Sequence, residues 1–106
     1  MSTLLIRVAA GDGQGRIPAQ RIHRFVRAAR RRWPAVVIEA REFVDGASGL
    51  WMGVLVSTDS RSEEAERQRE LLAARLAAYL EGNRAPHYRS TFFPADLSFE
   101  EALQYG

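Results

Sequence analysis

The spacing of apolar residues switches between two values along the chain, and each value is typical of one kind of secondary structure. Apolar side chains alternate with others in residues 3–9 (TLLIRVA) and 50–57 (LWMGVLVS), which is the period of a strand with two different faces. The β-branched and aromatic runs 35–43 (AVVIEAREF) and 87–93 (HYRSTFF) also fit strands. Two longer segments have the three- and four-residue spacing of helices. The pattern therefore predicts four strands and two long helices.

The first long helix lies between Pro18, which suits a first helical turn, and Pro34, which ends it. Its apolar stripe follows the positions i, i+3, i+4, i+7 and i+11, which are Ile22, Phe25, Val26, Ala29 and Trp33. At the start of the second helix, Ser60 and Glu63 have the spacing of a capping box. Gly82–Asn83 are typical of its end.

The resulting order of elements is β-α-β-β-α-β. Its simplest compact arrangement is the split β-α-β, or ferredoxin-like, sandwich, in which a four-stranded antiparallel sheet carries both helices on one face. A chain of 106 residues fits one such domain. We therefore expect residues 1–106 to form a single α+β domain.

Residues 95–106 form a tail with the marks of a short helix. Ser98 and Glu101 have the spacing of a second capping box, and Phe99 and Leu103 are one helical turn apart. Because a helix this short is marginal in water on its own, we expect the tail to dock on the sheet. The sequence leaves open whether it docks on its own chain or on a second copy.

The charge of the chain is unevenly divided, although it sums to only +2. Nine arginines against two acids give residues 1–41 a net charge of +7, and six arginines against eleven acids give residues 42–106 a net charge of −5. Lysine is absent from the chain. Cysteine is absent as well, and its absence excludes disulfides and thiolate sites. No apolar run approaches the roughly 20 residues of a membrane span, and no signal peptide is readable, so we expect a cytoplasmic protein.

The first helix concentrates the positive charge on its polar side. On a helical wheel, Arg24, Arg27 and Arg31 form a continuous stripe opposite the apolar residues. Such a stripe suits a nucleic-acid backbone or an acidic protein partner. In the alternative interpretation it is an ordinary solvated face, partly neutralised because the end of the first helix (residues 30–32) lies near the acidic start of the second (Glu63, Glu64 and Glu66).

The sheet face turned away from the helices is predicted to carry apolar and basic side chains together. These are Leu5, Arg7, Trp51 and Leu55. Such a face is too apolar to remain uncovered by protein. It is covered either by Phe99 and Leu103 of the tail or by a docked partner, for which Trp and Arg are typical anchor residues.

Catalytic chemistry has little support in the sequence. His23 and His87 have no second ligand at metal spacing, and no nucleophile–base set can be assembled. We therefore predict no metal, no cofactor and no enzymatic activity. The leading hypothesis is a small bacterial interaction or regulatory module that binds a protein partner, or itself as a homodimer, through the open sheet face. The alternative is a nucleic-acid-associated accessory protein that uses the arginine stripe.

Overall fold

The computed structural model describes residues 1–59, 61–83 and 87–105. Within them the elements follow one another in the predicted order. They are β1 (Ser2–Ala9), α1 (Ala19–Arg32), β2 (Val37–Asp45), β3 (Gly49–Thr58), α2 (Glu63–Gly82), β4 (Tyr88–Phe93) and α3 (Phe99–Tyr105). The four strands and two long helices of the sequence prediction are confirmed, and the tail forms the third helix.

The four strands form one antiparallel sheet in the order β2-β3-β1-β4. β3 pairs antiparallel with both β1 and β2, so β1 and β2 are parallel and have β3 between them. In the same way, β3 and β4 have β1 between them. Each β-α-β unit is thus split by a strand of the other. This is the α+β arrangement that the element order predicts.

The main core lies between the sheet and the pair α1 and α2. The central strands supply alternate residues to it, which are Leu4, Ile6, Val8, Met52, Val54 and Val56. The helices supply the predicted apolar positions, including Ile22, Val26, Ala29, Leu72, Leu76 and Leu80. Because side chains alternate across a strand, the residues between these positions must face the other way.

That other side, which we call the far face of the sheet, has its own buried cluster. It consists of Leu5, Leu55, Phe99 and Ala102. The first two come from the central strands and the last two from α3, so the tail packs on the sheet of its own chain. The tail thus adopts one of the two arrangements that the sequence left open, docking on its own chain.

The two capping boxes of the sequence have different outcomes. In the tail, Ser98 Oγ accepts a hydrogen bond from Glu101 N at 3.2 Å, and Ser98 N donates to Glu101 Oε1 at 3.1 Å, as predicted. The N-cap of α2 is Ser62, whose Oγ accepts from Ala65 N at 3.1 Å. Ser60, the predicted cap, lies outside the described residues.

The glycine-rich loop between β1 and α1 is held by an arginine. Arg16 Nη1 donates to the carbonyl oxygens of Ala10 and Leu50, at 3.0 and 3.1 Å, and Nη2 donates to that of Ser48 at 2.6 Å. One guanidinium therefore ties this loop to the turn between β2 and β3. At that turn, Gly49 has a φ of +86°, a conformation that favours glycine.

Candidate functional site

The far face of the sheet is divided into two halves by α3. The covered half consists of Leu5 and Leu55 on the sheet, with Phe99 and Ala102 packed on them. The Phe99 ring lies directly over Gly53, where a Cβ atom would come within 2.6 Å of Phe99 Cζ. A glycine at this position of β3 therefore allows the ring to approach the sheet closely.

Polar contacts hold both ends of α3 in place. Near its start, the Arg41 guanidinium lies 4.9 Å from the centroid of the Phe99 ring, and its Nη1 is 2.8 Å from Glu100 Oε1. At its end, Arg7 Nη2 donates to the carbonyl oxygen of Leu103 at 2.7 Å. The last carbonyl groups of a helix have no partner within it, so Arg7 caps α3 with a charge of the favourable sign.

The segment that leads into α3 is fixed as well. The side chain of Thr3, which is buried, donates to the carbonyl oxygen of Ala95 at 2.8 Å and accepts from the amide of Leu97 at 3.0 Å. The tail therefore contacts the sheet through main-chain, polar and apolar groups along most of its length.

This docking changes the interpretation of the predicted partner-binding residues. Leu5, Leu55 and Phe99 are 0%, 4% and 3% exposed, and Leu103 is partly buried against them. These four side chains pack on one another rather than forming an open face. Covering by the tail is one of the two arrangements that the sequence left open, and partner binding by these residues stays a prediction. Of the six residues predicted to bind a partner, Arg7 and Trp51 lie outside this cluster.

The uncovered half of the far face contains a small cavity of about 140 Å³. Its lining residues come from all four strands and are Arg7, Phe43, Asp45, Trp51 and Arg89. We call it the arginine–tryptophan pocket. Phe43 is paired with Trp51, and Arg7 with Arg89, in the strand register. The pocket thus has two aromatic and two cationic residues on neighbouring strands.

The electrostatics of this pocket centre on Arg7. Partial burial lowers the pKa of its guanidinium, the positive charge of Arg89 lowers it further, and Asp45 partly opposes both effects. Arg7 Nε is buried and makes no hydrogen bond within the part of the chain that the structure describes. An unpaired buried donor costs about 1–3 kcal/mol. Arg7 is therefore a partly desolvated cation next to a like charge, and its Nε is a buried donor without a partner among the described residues.

The Trp51 side chain is oriented by the turn between β2 and β3. Its indole Nε1 donates to Ser48 Oγ at 2.9 Å, and the main-chain oxygen of Ser48 accepts from Arg16. The indole ring is therefore held by the same turn that the Arg16 guanidinium anchors. A side chain fixed in this way loses less conformational entropy when a partner contacts it.

The predicted arginine stripe lies elsewhere, on the outer side of α1. Arg24, Arg27 and Arg31 are all exposed. A groove of about 540 Å³ runs between α1 and β2, and it is lined by Arg24, Arg27 and Arg30 among others, but Arg31 is not among its lining residues. In the lining of this groove, Arg30 thus takes the place of Arg31 beside Arg24 and Arg27.

The ion pairs of the described residues do not link this surface to the acids of α2. Within residues 1–59, 61–83 and 87–105, no ion pair joins an arginine of α1 to Glu63, Glu64 or Glu66. Glu64 instead pairs with Arg67 on its own helix, at 2.7 Å. Hydrogen bonds from Gln68 and Arg67 lower the pKa of the Glu64 carboxyl group. Arg67 is one helical turn from Glu64, so this pair forms within α2 and needs no contact with another element.

Two further findings concern metal binding and membrane crossing, neither of which the sequence predicted. Among the described residues, no group of three or more His, Asp or Glu side chains is arranged to hold a metal ion. In the same part of the chain, no helix combines the length and apolarity that a bilayer crossing requires. Gly53 and Asp45 belong to the two halves of the far face but were not among the residues that the sequence placed there.

Comparison with known proteins adds no relative to this picture: no family model, no curated protein and no solved structure matches the chain.

Proposed function

We propose that the chain is a small, non-enzymatic module that binds a protein partner through the uncovered half of the far face. The partner places a carboxylate in the arginine–tryptophan pocket. The observation that carries the proposal is the position of two cationic residues, Arg7 and Arg89, beside Trp51 and Phe43 in one cavity.

The size of the pocket favours a macromolecule over a free ligand. Sites for small molecules and cofactors have volumes of about 300–1,000 Å³. The arginine–tryptophan pocket has about 140 Å³, which accommodates a single side chain presented from another surface. An acidic side chain or a terminal carboxylate fits this space and leaves the rest of the partner outside.

The chemistry of the lining groups favours an anion. Arg7 and Arg89 outnumber Asp45, and a carboxylate accepts hydrogen bonds from guanidinium groups in pairs. A bound carboxylate would offset the positive charges of Arg7 and Arg89, which oppose each other. Trp51 and Phe43 would supply apolar contact around the anion, and Trp and Arg are the residue types that contribute most to binding at interfaces.

Site-specific crosslinking tests this proposal. A photo-crosslinking phenylalanine analogue placed at Phe43 should yield an adduct with a partner in source cells, because Phe43 borders the pocket. The same analogue at Leu71, which is exposed on α2, is the matched control and should yield none. Trp51→Ala and Arg89→Gln should each abolish the adduct. With the purified partner, Arg89→Gln should weaken affinity about tenfold or more.

The result that contradicts the proposal is equally definite. An adduct at Phe43 that survives both Trp51→Ala and Arg89→Gln, or no adduct at all, means that the pocket does not dock a protein. If the adduct is a second copy of the chain, the partner is the homodimer that the sequence suggested. Sedimentation at micromolar concentration then shows a dimer that Trp51→Ala converts to monomer.

A further inference from the structure

A second surface of the molecule combines an open strand edge with a row of cations. β2 is the last strand of the sheet on one side, and α1 packs beside it. The groove between them, which we call the α1–β2 groove, is lined by Arg24, Arg27, Arg30 and Ala40 together with Gln20, His23 and Val26. It lies away from the arginine–tryptophan pocket and shares no lining residue with it.

The direction of the main-chain groups of β2 follows from its neighbours. The carbonyl oxygen of Leu50 accepts from Ala10 N, so even-numbered residues of β3 bond toward β1 and odd-numbered ones toward β2. In the register of β2 and β3, each odd-numbered residue of β2 lies opposite an odd-numbered residue of β3. The even-numbered ones, Ile38, Ala40, Glu42 and Val44, therefore direct their N–H and C=O groups outward.

One outward group of β2 already has a partner. Arg30 Nε donates to the carbonyl oxygen of Ile38 at 3.0 Å, which confirms the direction. Within the described residues, the outward groups of Ala40, Glu42 and Val44 make no comparable bond. Such a row of main-chain groups is a template for another strand. Val37 and Val44, at 67% and 75% exposed, add apolar side chains at the two ends of β2.

The charge beside this edge determines which strand fits. Side chains of an added strand that point to the helix side of the sheet would meet Arg24 and Arg27 across the α1–β2 groove. Neither arginine is in an ion pair among the described residues. Pairing with the β2 edge of a second copy would bring two such rows together, and like charges oppose that contact. The edge therefore favours an acidic strand of another protein.

We propose that the β2 edge binds an extended acidic segment by strand addition, with carboxylates at alternate positions directed at Arg24 and Arg27. Main-chain hydrogen bonds to Ala40, Glu42 and Val44 hold the segment in place, and the arginines select its side chains. Val37, which lies on the far face of the sheet, packs against its apolar positions. The proposal is independent of the arginine–tryptophan pocket, since the two sites lie on different parts of the sheet.

The test uses a labelled peptide as long as β2 in which Glu alternates with Val, and measures binding by fluorescence anisotropy. Replacing Glu by Gln in the peptide should weaken binding about tenfold or more. Arg24→Gln and Arg27→Gln should each weaken it severalfold. Arg61→Gln removes the same charge outside the groove and should have no effect.

Methylated peptides test the main-chain part of the proposal. N-methylation of all Glu residues removes the donors on one edge of the peptide, and N-methylation of all Val residues removes those on the other. Strand addition requires that one of these peptides loses binding and that the other retains it. Ala40→Pro, which removes an outward donor of β2 while leaving the bonds to β3, should give the same loss.

Three outcomes overturn the proposal. The first is equal binding of the two methylated peptides, because no strand edge is then recognised. The second is binding that does not depend on Arg24 and Arg27. The third is a single-stranded oligothymidylate that binds more tightly than the acidic peptide, with a steep salt dependence, because the arginines then recognise phosphates.

Discussion

The two halves of the far face are built on the same pair of central strands, yet they meet different neighbours. In the covered half, Leu5 and Leu55 are buried beneath α3. In the uncovered half, Arg7, Trp51 and Arg89 border a cavity. Arg7 belongs to both, because its Nη2 caps α3 and its side chain lines the cavity. The comparison shows that the tail covers the apolar part of the face and leaves its cationic part uncovered by α3.

The largest expected difference between the halves is in stability. Phe99→Ala should lower the free energy of unfolding by about 3 kcal/mol, because it removes a buried ring from the covered half. Trp51→Ala, in the uncovered half, should cost about 1 kcal/mol or less, since its ring is only partly buried. Urea unfolding of both variants measures the difference. Equal losses would mean that α3 contributes no more to the fold than an exposed side chain.

An intermediate effect is expected from the contact beneath the Phe99 ring. Gly53→Ala would place a Cβ atom 2.6 Å from Phe99 Cζ, and overpacking of this kind costs about 1–3 kcal/mol. In a Phe99→Ala background the same substitution should be nearly neutral, because the clashing atom is gone. Gly46→Ala is the control, since a Cβ at Gly46 meets nothing within 4 Å. If the two substitutions are additive, the ring does not rest on Gly53.

The smallest expected effect concerns acid. A main-chain hydrogen bond, and after it the hydrogen bond from Arg41, lower the pKa of the Glu100 carboxyl group below its ordinary value of 4.5. A carboxyl group with a lowered pKa in the folded state stabilises that state above its ordinary value, and this contribution is lost as the pH falls through the lowered one. NMR titration of Glu100 should show the lowered midpoint.

Two variants compare the halves in that titration. Arg41→Gln should raise the Glu100 midpoint only part of the way, because the main-chain hydrogen bond remains. Arg89→Gln, in the uncovered half, should leave the midpoint where it is. An unchanged midpoint in Arg41→Gln would show that the contact between Arg41 and Glu100 is not maintained in solution.

Most of the fold prediction came from patterns that involve residues close together in the sequence. The alternation in β1 and β3 assigned each side chain to the correct sheet face, because a strand's two-residue period requires no knowledge of its neighbours. The capping box of Ser98 and Glu101 likewise depends on residues three positions apart. These features are encoded within a few residues, so the sequence alone was sufficient.

The features that the sequence did not predict all depend on contacts between distant segments. Gly53 has a special role only because Phe99, far along the chain, packs on it. Arg16 resembles any loop arginine until the turn between β2 and β3 presents its carbonyl groups. The pairing of residues 30–32 with the acids of α2 was expected from proximity alone. No such ion pair occurs among the described residues, where Glu64 pairs with Arg67 on its own helix and Arg30 donates to the carbonyl oxygen of Ile38.

The covalent connection between β4 and α3 has a consequence for competition. Only residues 94–98 separate the two elements, so the docking of Phe99 is an intramolecular reaction. A short linker of this kind corresponds to an effective concentration in the millimolar range. A foreign helix that sought the same contact with Leu5 and Leu55 at micromolar concentration would have to bind about a thousandfold more tightly than α3 does. The high effective concentration of α3, together with its shape, therefore favours occupation of the covered half by its own chain.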